Sequence, residues 1–239
     1  MKALRMTLMV VALVAFAGAA SAQNTVYADA AAAMNGTNFG LVLDLDGTTS
    51  NTFVEDQTPA AETVYRATFW FDPNTLPMGN TDKFVIFLGR HANNNNIFRL
   101  QFNYLNGNYR VRLQVKKNNN EWADTRLLGT SGARFMNIGD QPTEITVEFV
   151  YGNATVSLAR VTANGITHIT IEAVFGDNTV SYAGVTANGV THYKDTYQSA
   201  NWAVSKVRMG GPRMASAQGG PFTGDVYFDE FSSFRTLAP

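Results

Sequence analysis

The chain has 239 residues, 18 basic and 19 acidic side chains, a formal net charge of −1 and no cysteine. Without cysteine, a disulfide framework and thiolate chemistry are both excluded. The near-neutral balance argues against nucleic acid as the main partner, because phosphate binding needs a concentrated basic surface.

Residues 1–22 have the layout of a secretory leader. Lys2 and Arg5 open it, "MTLMVVALVAFAGA" is a short apolar stretch, and Ala20-Ser21-Ala22 supplies the small-residue cleavage pattern. Cleavage before Gln23 predicts a secreted or periplasmic protein with no membrane contact once the leader is removed. Residues 23–37, with their run of alanines, read as a lead-in holding at most one or two helical turns. Residues 38–239 read as one domain, long enough to bury a core without staples.

From Phe39 onward the pattern is β: apolar residues alternate with polar ones between turns rich in Asn, Gly and Asp. In "VYRATFWFDP", Tyr65, Ala67, Phe69 and Phe71 fall on one face and Arg66, Thr68 and Trp70 on the other. "IFRLQFNYLNGNYRVRLQV" predicts a hairpin about the turn "LNGN". Phe98, Leu100, Phe102, Tyr104, Tyr109, Val111, Leu113 and Val115 face its apolar side. Arg99, Gln101, Asn103, Arg110, Arg112 and Gln114 face the other. "HANNNNI" and "KKNNNEW" read as polar loop tips.

The segment from Thr143 and the segment from Thr167 are identical at 17 of 26 aligned positions. Each copy reads as strand, tight turn, strand and "ANG" turn. Two copies are too few for a solenoid, which needs at least three stacked repeats. The repeat at 143–192 is therefore expected to be a duplicated β-hairpin inside one sheet.

Many short strands at close spacing predict an all-β, two-sheet antiparallel jelly-roll sandwich. "TFVEDQTPAAETVYRATFWFDPN" and "GDVYFDEFSSFR" resemble the opening and closing strands of LamG-like, concanavalin A-like domains of bacterial secreted proteins. That resemblance implies adjacent first and last strands. It also implies membership of a class containing lectins, carbohydrate-binding modules, adhesion modules and some glucanases, among which fold alone does not choose.

Glucanases of that class carry acid and nucleophile on one strand as E-x-D-x-x-E. This chain has no such motif, and Asp229 and Glu230, being consecutive, point to opposite faces. No catalytic residue is assigned on this basis. Asp44, Asp46 and Asp229 would form the start of a calcium site if the first and last strands met, since calcium takes hard oxygen ligands. The alternative is that Asp46-Gly47 is a turn and Asp229 pairs locally. His168 and His192 occupy equivalent repeat positions, and with no Cys or third His they are better explained by duplication than by zinc.

The outward residues Arg66, Trp70, Arg99, Gln101, Arg110 and Arg112 would make a polar platform with an exposed indole if their strands were neighbours. Aromatic faces and planar polar side chains suit polysaccharide or cell-surface glycan. The plainer alternative is a solvated sheet face. The expectation from sequence is a secreted, non-catalytic module binding carbohydrate or another extracellular polymer. An adhesion protein working through sheet edges stands second, and a glycan hydrolase or lyase third.

Overall fold

The structure is a computed structural model that describes residues 23–116, 122–124, 126–127, 135–150, 168–175, 181–187, 190–196, 203–218 and 220–235. The expected leader and the expected second strand of the first repeat copy lie outside these residues. In chain order the strands begin with β1 (Thr25–Asp29), β2 (Gly40–Asp46), β3 (Thr52–Asp56), β4 (Val64–Asp72) and β5 (Lys83–Arg90). Next come β6 (Asn96–Leu105), β7 (Asn108–Lys116), β8 (Trp122–Asp124), β9 (Arg126–Leu127), β10 (Met136–Asn137) and β11 (Thr143–Val150). The last are β12 (His168–Phe175), β13 (Ser181–Ala187), β14 (Val190–Thr196), β15 (Lys206–Gln218) and β16 (Thr223–Phe234). No α-helix occurs among the described residues, and Ala30–Ala32 makes a single 3₁₀ turn.

Two sheets form a jelly-roll sandwich. One runs β1-β2-β16-β4-β11-β12-β13-β14-β9, and the other β10-β7-β6-β5-β15-β3 with β8 added to β7. Among the described residues every strand pairing is antiparallel except β11 with β12. Between the sheets lies an aromatic core in which Tyr65, Phe69, Phe71, Phe87 and Phe102 are fully buried. Phe69 packs on Phe87 across the sandwich at 5.1 Å, and Phe71 meets Phe102 edge-on at 5.0 Å. The alternation seen in the sequence thus sorts inside from outside in both sheets.

The hairpin β6–β7 turns at Asn106 and Gly107, both at positive φ, as a two-residue turn of the expected chemistry requires. Gly89 has a different reason. It stands opposite Phe98, whose ring lies over the place a Cβ would occupy. Removing the side chain on β5 lets the Phe98 ring fold over its cross-strand neighbour.

The lead-in is part of the sandwich, because β1 pairs with β2 along its whole length. The repeat also departs from a plain tandem of antiparallel strands. The first strands of the two copies, β11 and β12, lie side by side and parallel, with Ile145 opposite Ile169 and Val147 opposite Ile171. Those pairs are equivalent positions of the repeat, so the duplication sets the register.

Candidate functional site: a cationic face on the seven-stranded sheet

Because β-strand side chains alternate, the residues of β6 and β7 that avoid the core share one outward face. Cross-strand register places Arg99 opposite Gln114 and Gln101 opposite Arg112. Each arginine uses its Nε to donate to the facing amide: Arg99 to Gln114 Oε1 at 2.7 Å and Arg112 to Gln101 Oε1 at 2.7 Å. Since guanidinium only donates, both amide oxygens must turn toward arginine, and the amide NH₂ groups turn away. Gln114 Nε2 then donates to Asp124 Oδ1 at 2.6 Å, and Arg112 Nη1 lies 3.4 Å from the same oxygen. The three amide residues here, Gln101, Asn103 and Gln114, are only 4–6% exposed.

The cationic character extends across the sheet. Arg208 stands opposite Leu88, which stands opposite Arg99, so one row crosses β15, β5, β6 and β7 and ends at Asp124 on β8. Arg213 stands opposite Val85, and Val85 opposite Gln101. Lys83 stands opposite Asn103, and Asn103 opposite Arg110. At the far edge Arg208 pairs with Glu55 at 2.5 Å and lies over the Phe53 ring at 4.1 Å. Trp122 offers its ring to Arg99 at 4.2 Å and to Lys116 at 5.0 Å.

This crowding of like charge is visible in proton affinities. Arg99 is pushed down to about 10, chiefly by burial and then by Arg213 and Arg112, with Asp124 opposing. Lys116 is lowered by burial and by Arg99 and Arg213. Arg90 is lowered by burial and by Arg208. Burial is the largest cause at all three groups, and the neighbouring cations add to it.

One end of the face opens into a cleft lined by Thr81, Lys83, Asn103, Tyr104, Leu105, Arg112 and Phe135. Asn103 Nδ2 donates to the Gln101 carbonyl at 2.9 Å, which orients its amide group. Arg112 lies over the Phe135 ring at 5.3 Å.

The six residues expected to form one platform are divided by the fold. Arg99, Gln101, Arg110 and Arg112 belong to the face just described. Arg66 and Trp70 are on β4, in the other sheet. Trp70 is not an exposed indole, being 7% exposed and held opposite Asp229 and Glu144. Alternation separates inward from outward residues but does not say which sheet a strand joins. Lys83, Lys116, Trp122, Asp124, Arg208 and Arg213 were not singled out from the sequence, because they converge only through β5, β8 and β15.

The three aspartates do not converge either. β2 does pair with β16, but the register sets Asp44 opposite Asp225 and Asp46 opposite Thr223. Asp229 lies four residues further along, roughly 13 Å away at strand rise. Its Oδ2 accepts from the Met34 amide at 2.6 Å and from the Thr37 hydroxyl, and its Oδ1 accepts from the Glu230 amide at 2.7 Å. It clasps the lead-in to the sheet. Among the described residues no group of three or more His, Asp or Glu side chains is placed to hold a metal ion. His168 and His192 lie on β12 and β14, separated by β13.

No family model matches the sequence, and no curated protein matches it. The resemblance to LamG-like domains therefore reduces to the sandwich of two sheets. Among solved structures the chain is similar to an alginate lyase from Alteromonas sp. 272, at 11% identity and a TM-score of 0.35. That match covers 85% of this chain and 81% of the other. A polysaccharide lyase of family 18 gives 12% identity and 0.34, covering 85% and 81%. The alginate lyase from Klebsiella pneumoniae gives 9% and 0.38, covering 87% and 80%. These neighbours are enzymes, so the expectation of a non-catalytic binding module, with adhesion as its alternative, is corrected and withdrawn. At such identities and TM-scores the likeness carries no argument for a particular reaction, and the reading of function rests on the site.

Proposed function

We propose that the protein acts on an acidic polysaccharide laid across the cationic face of the seven-stranded sheet, and that it cuts the chain by elimination. The observation that carries this reading is the Arg99–Gln114 and Arg112–Gln101 lattice beside Lys83 and Asn103. Planar guanidinium and amide groups bind a carboxylate through paired hydrogen bonds. Neutralising a uronate carboxylate acidifies the adjacent C5–H. A base then removes that proton, the C4–O bond breaks, a C4=C5 double bond forms, and an acid protonates the departing oxygen. Arg112 and Asn103 are assigned to the carboxylate, and Lys83 to proton transfer. The described lining of the cleft contains no Asp or Glu, whereas hydrolysis of a glycosidic bond ordinarily employs two. The leader at residues 1–22 fits an encounter with such polymers outside the cytoplasm.

The test is incubation of the exported protein with alginate and with polygalacturonate while the ultraviolet absorbance of unsaturated uronate ends is followed. Product should accumulate on at least one polymer, and Arg112→Ala and Lys83→Ala should each lower the rate about 100-fold or more. Absence of product from both polymers, with binding to neither, refutes the reading.

A further inference from the structure

Asp124 is the acid that the cationic lattice encloses, and it ends the three-residue strand β8. β8 pairs only its own three residues with β7, setting Asp124 opposite Gln114 and Trp122 opposite Lys116. The carboxylate reaches both halves of the lattice: it accepts from Gln114 Nε2 at 2.6 Å and lies 3.4 Å from Arg112 Nη1. Gln114 in turn accepts from Arg99 Nε at 2.7 Å. Asp124 thus reaches Arg112 directly and Arg99 through one amide.

We infer that Asp124 is the positioning residue of this site, acting through Gln114 and Arg112 to fix how Arg99 and Arg112 face an acidic ligand. An amide side chain has two ends of similar shape and opposite polarity. Gln114 serves Arg99 only while its oxygen faces Nε, and an acceptor on its far side is what makes that orientation the favoured one. Take the acceptor away and the flipped amide aims NH₂ at a guanidinium that is already repelled by Arg213 and Arg112. Arg99 then loses its anchor and swings. The charge of Asp124 has the opposite effect on affinity, because a fixed anion competes with an incoming one. The two roles separate by substitution. Asparagine keeps an acceptor oxygen in place and removes the charge, and alanine removes both.

This inference rests on the acidic-polysaccharide reading, and the experiment tells the two apart. Binding of an alginate oligosaccharide to the full chain is measured by calorimetry at two salt concentrations. The protein, D124N and D124A are compared, and circular dichroism verifies folding. D124A should bind about tenfold more weakly. D124N should bind at least as well as the unaltered protein, with a steeper loss as salt rises. A residue needed only to hold β8 in place would not produce this split. Binding by D124A equal to that of the unaltered protein overturns the inference, as does a D124N protein as weak as D124A. Should D124A fail to fold, Gln114→Met removes the same relay and must weaken binding about tenfold. No binding by the unaltered protein overturns the polysaccharide reading and this inference with it.

Discussion

Asp229→Ala should detach the lead-in from the sandwich. Asp229 is 7% exposed, and its carboxylate accepts from two backbone amides, Met34 and Glu230, and from the Thr37 hydroxyl. Glu230 sits at φ +50° within an irregularity of β16, a conformation that its neighbour's carboxylate braces. A hydrogen bond to a charged group contributes about 1.5–3 kcal/mol, and a buried donor left without a partner costs about 1–3 kcal/mol. These terms overlap, so alanine should cost about 3–5 kcal/mol in total. For a domain of this size that lowers Tm by roughly 10 °C. Thermal unfolding followed by circular dichroism measures the shift, and limited proteolysis should release the segment before Gly40 first. Tm should not respond to calcium or to a chelator. A loss of less than about 1 kcal/mol, or a Tm that rises with calcium and loses that response in the variant, refutes the clasp and restores Asp229 as a ligand.

Three other outcomes follow from packing, charge and topology. Asp225 faces Asp44 across β16 and β2, and burial and then Asp44 raise its pKa. A raised native pKa means stability is present below the unfolded value and lost as pH rises through the native one. Asp225→Asn should therefore stabilise the protein at neutral pH by about 0.5 kcal/mol. The advantage should shrink toward the carboxylate range, as Tm measured across pH will show. Gly89→Ala should destabilise by about 1–3 kcal/mol, since the new methyl collides with the buried Phe98 ring, and a denaturant melt reads the loss. Deleting residues 167–190 removes β12 and β13 and joins Ile166 to Thr191 across the same "ANG" turn. The shortened chain should still unfold cooperatively. Aggregation would show that the second copy supplies an indispensable sheet position.

Local chemistry settled much of this molecule before any long-range contact formed. Period-two alternation assigned Tyr65, Phe69, Phe71, Phe98 and Phe102 to the interior and Arg99, Gln101, Arg112 and Gln114 to the outside, because a strand has only two faces. Asn106-Gly107 dictated the hairpin, because few other residue pairs tolerate two successive positive φ values. What alternation lacks is any record of neighbours beyond the hairpin. Trp70 and Arg99 carry the same outward signal, yet β4 and β6 went to different sheets, and Trp70 was buried on the way. Asp44 and Asp229 lie on paired strands, but register, set by the whole core, put them four residues out of line. The cationic face depended on bringing β15 beside β5 and β8 beside β7, through pairings that a chain of net charge −1 gives no sign of. Strand order is decided by which apolar faces close on one another across the sandwich, and that is a property of the assembled core.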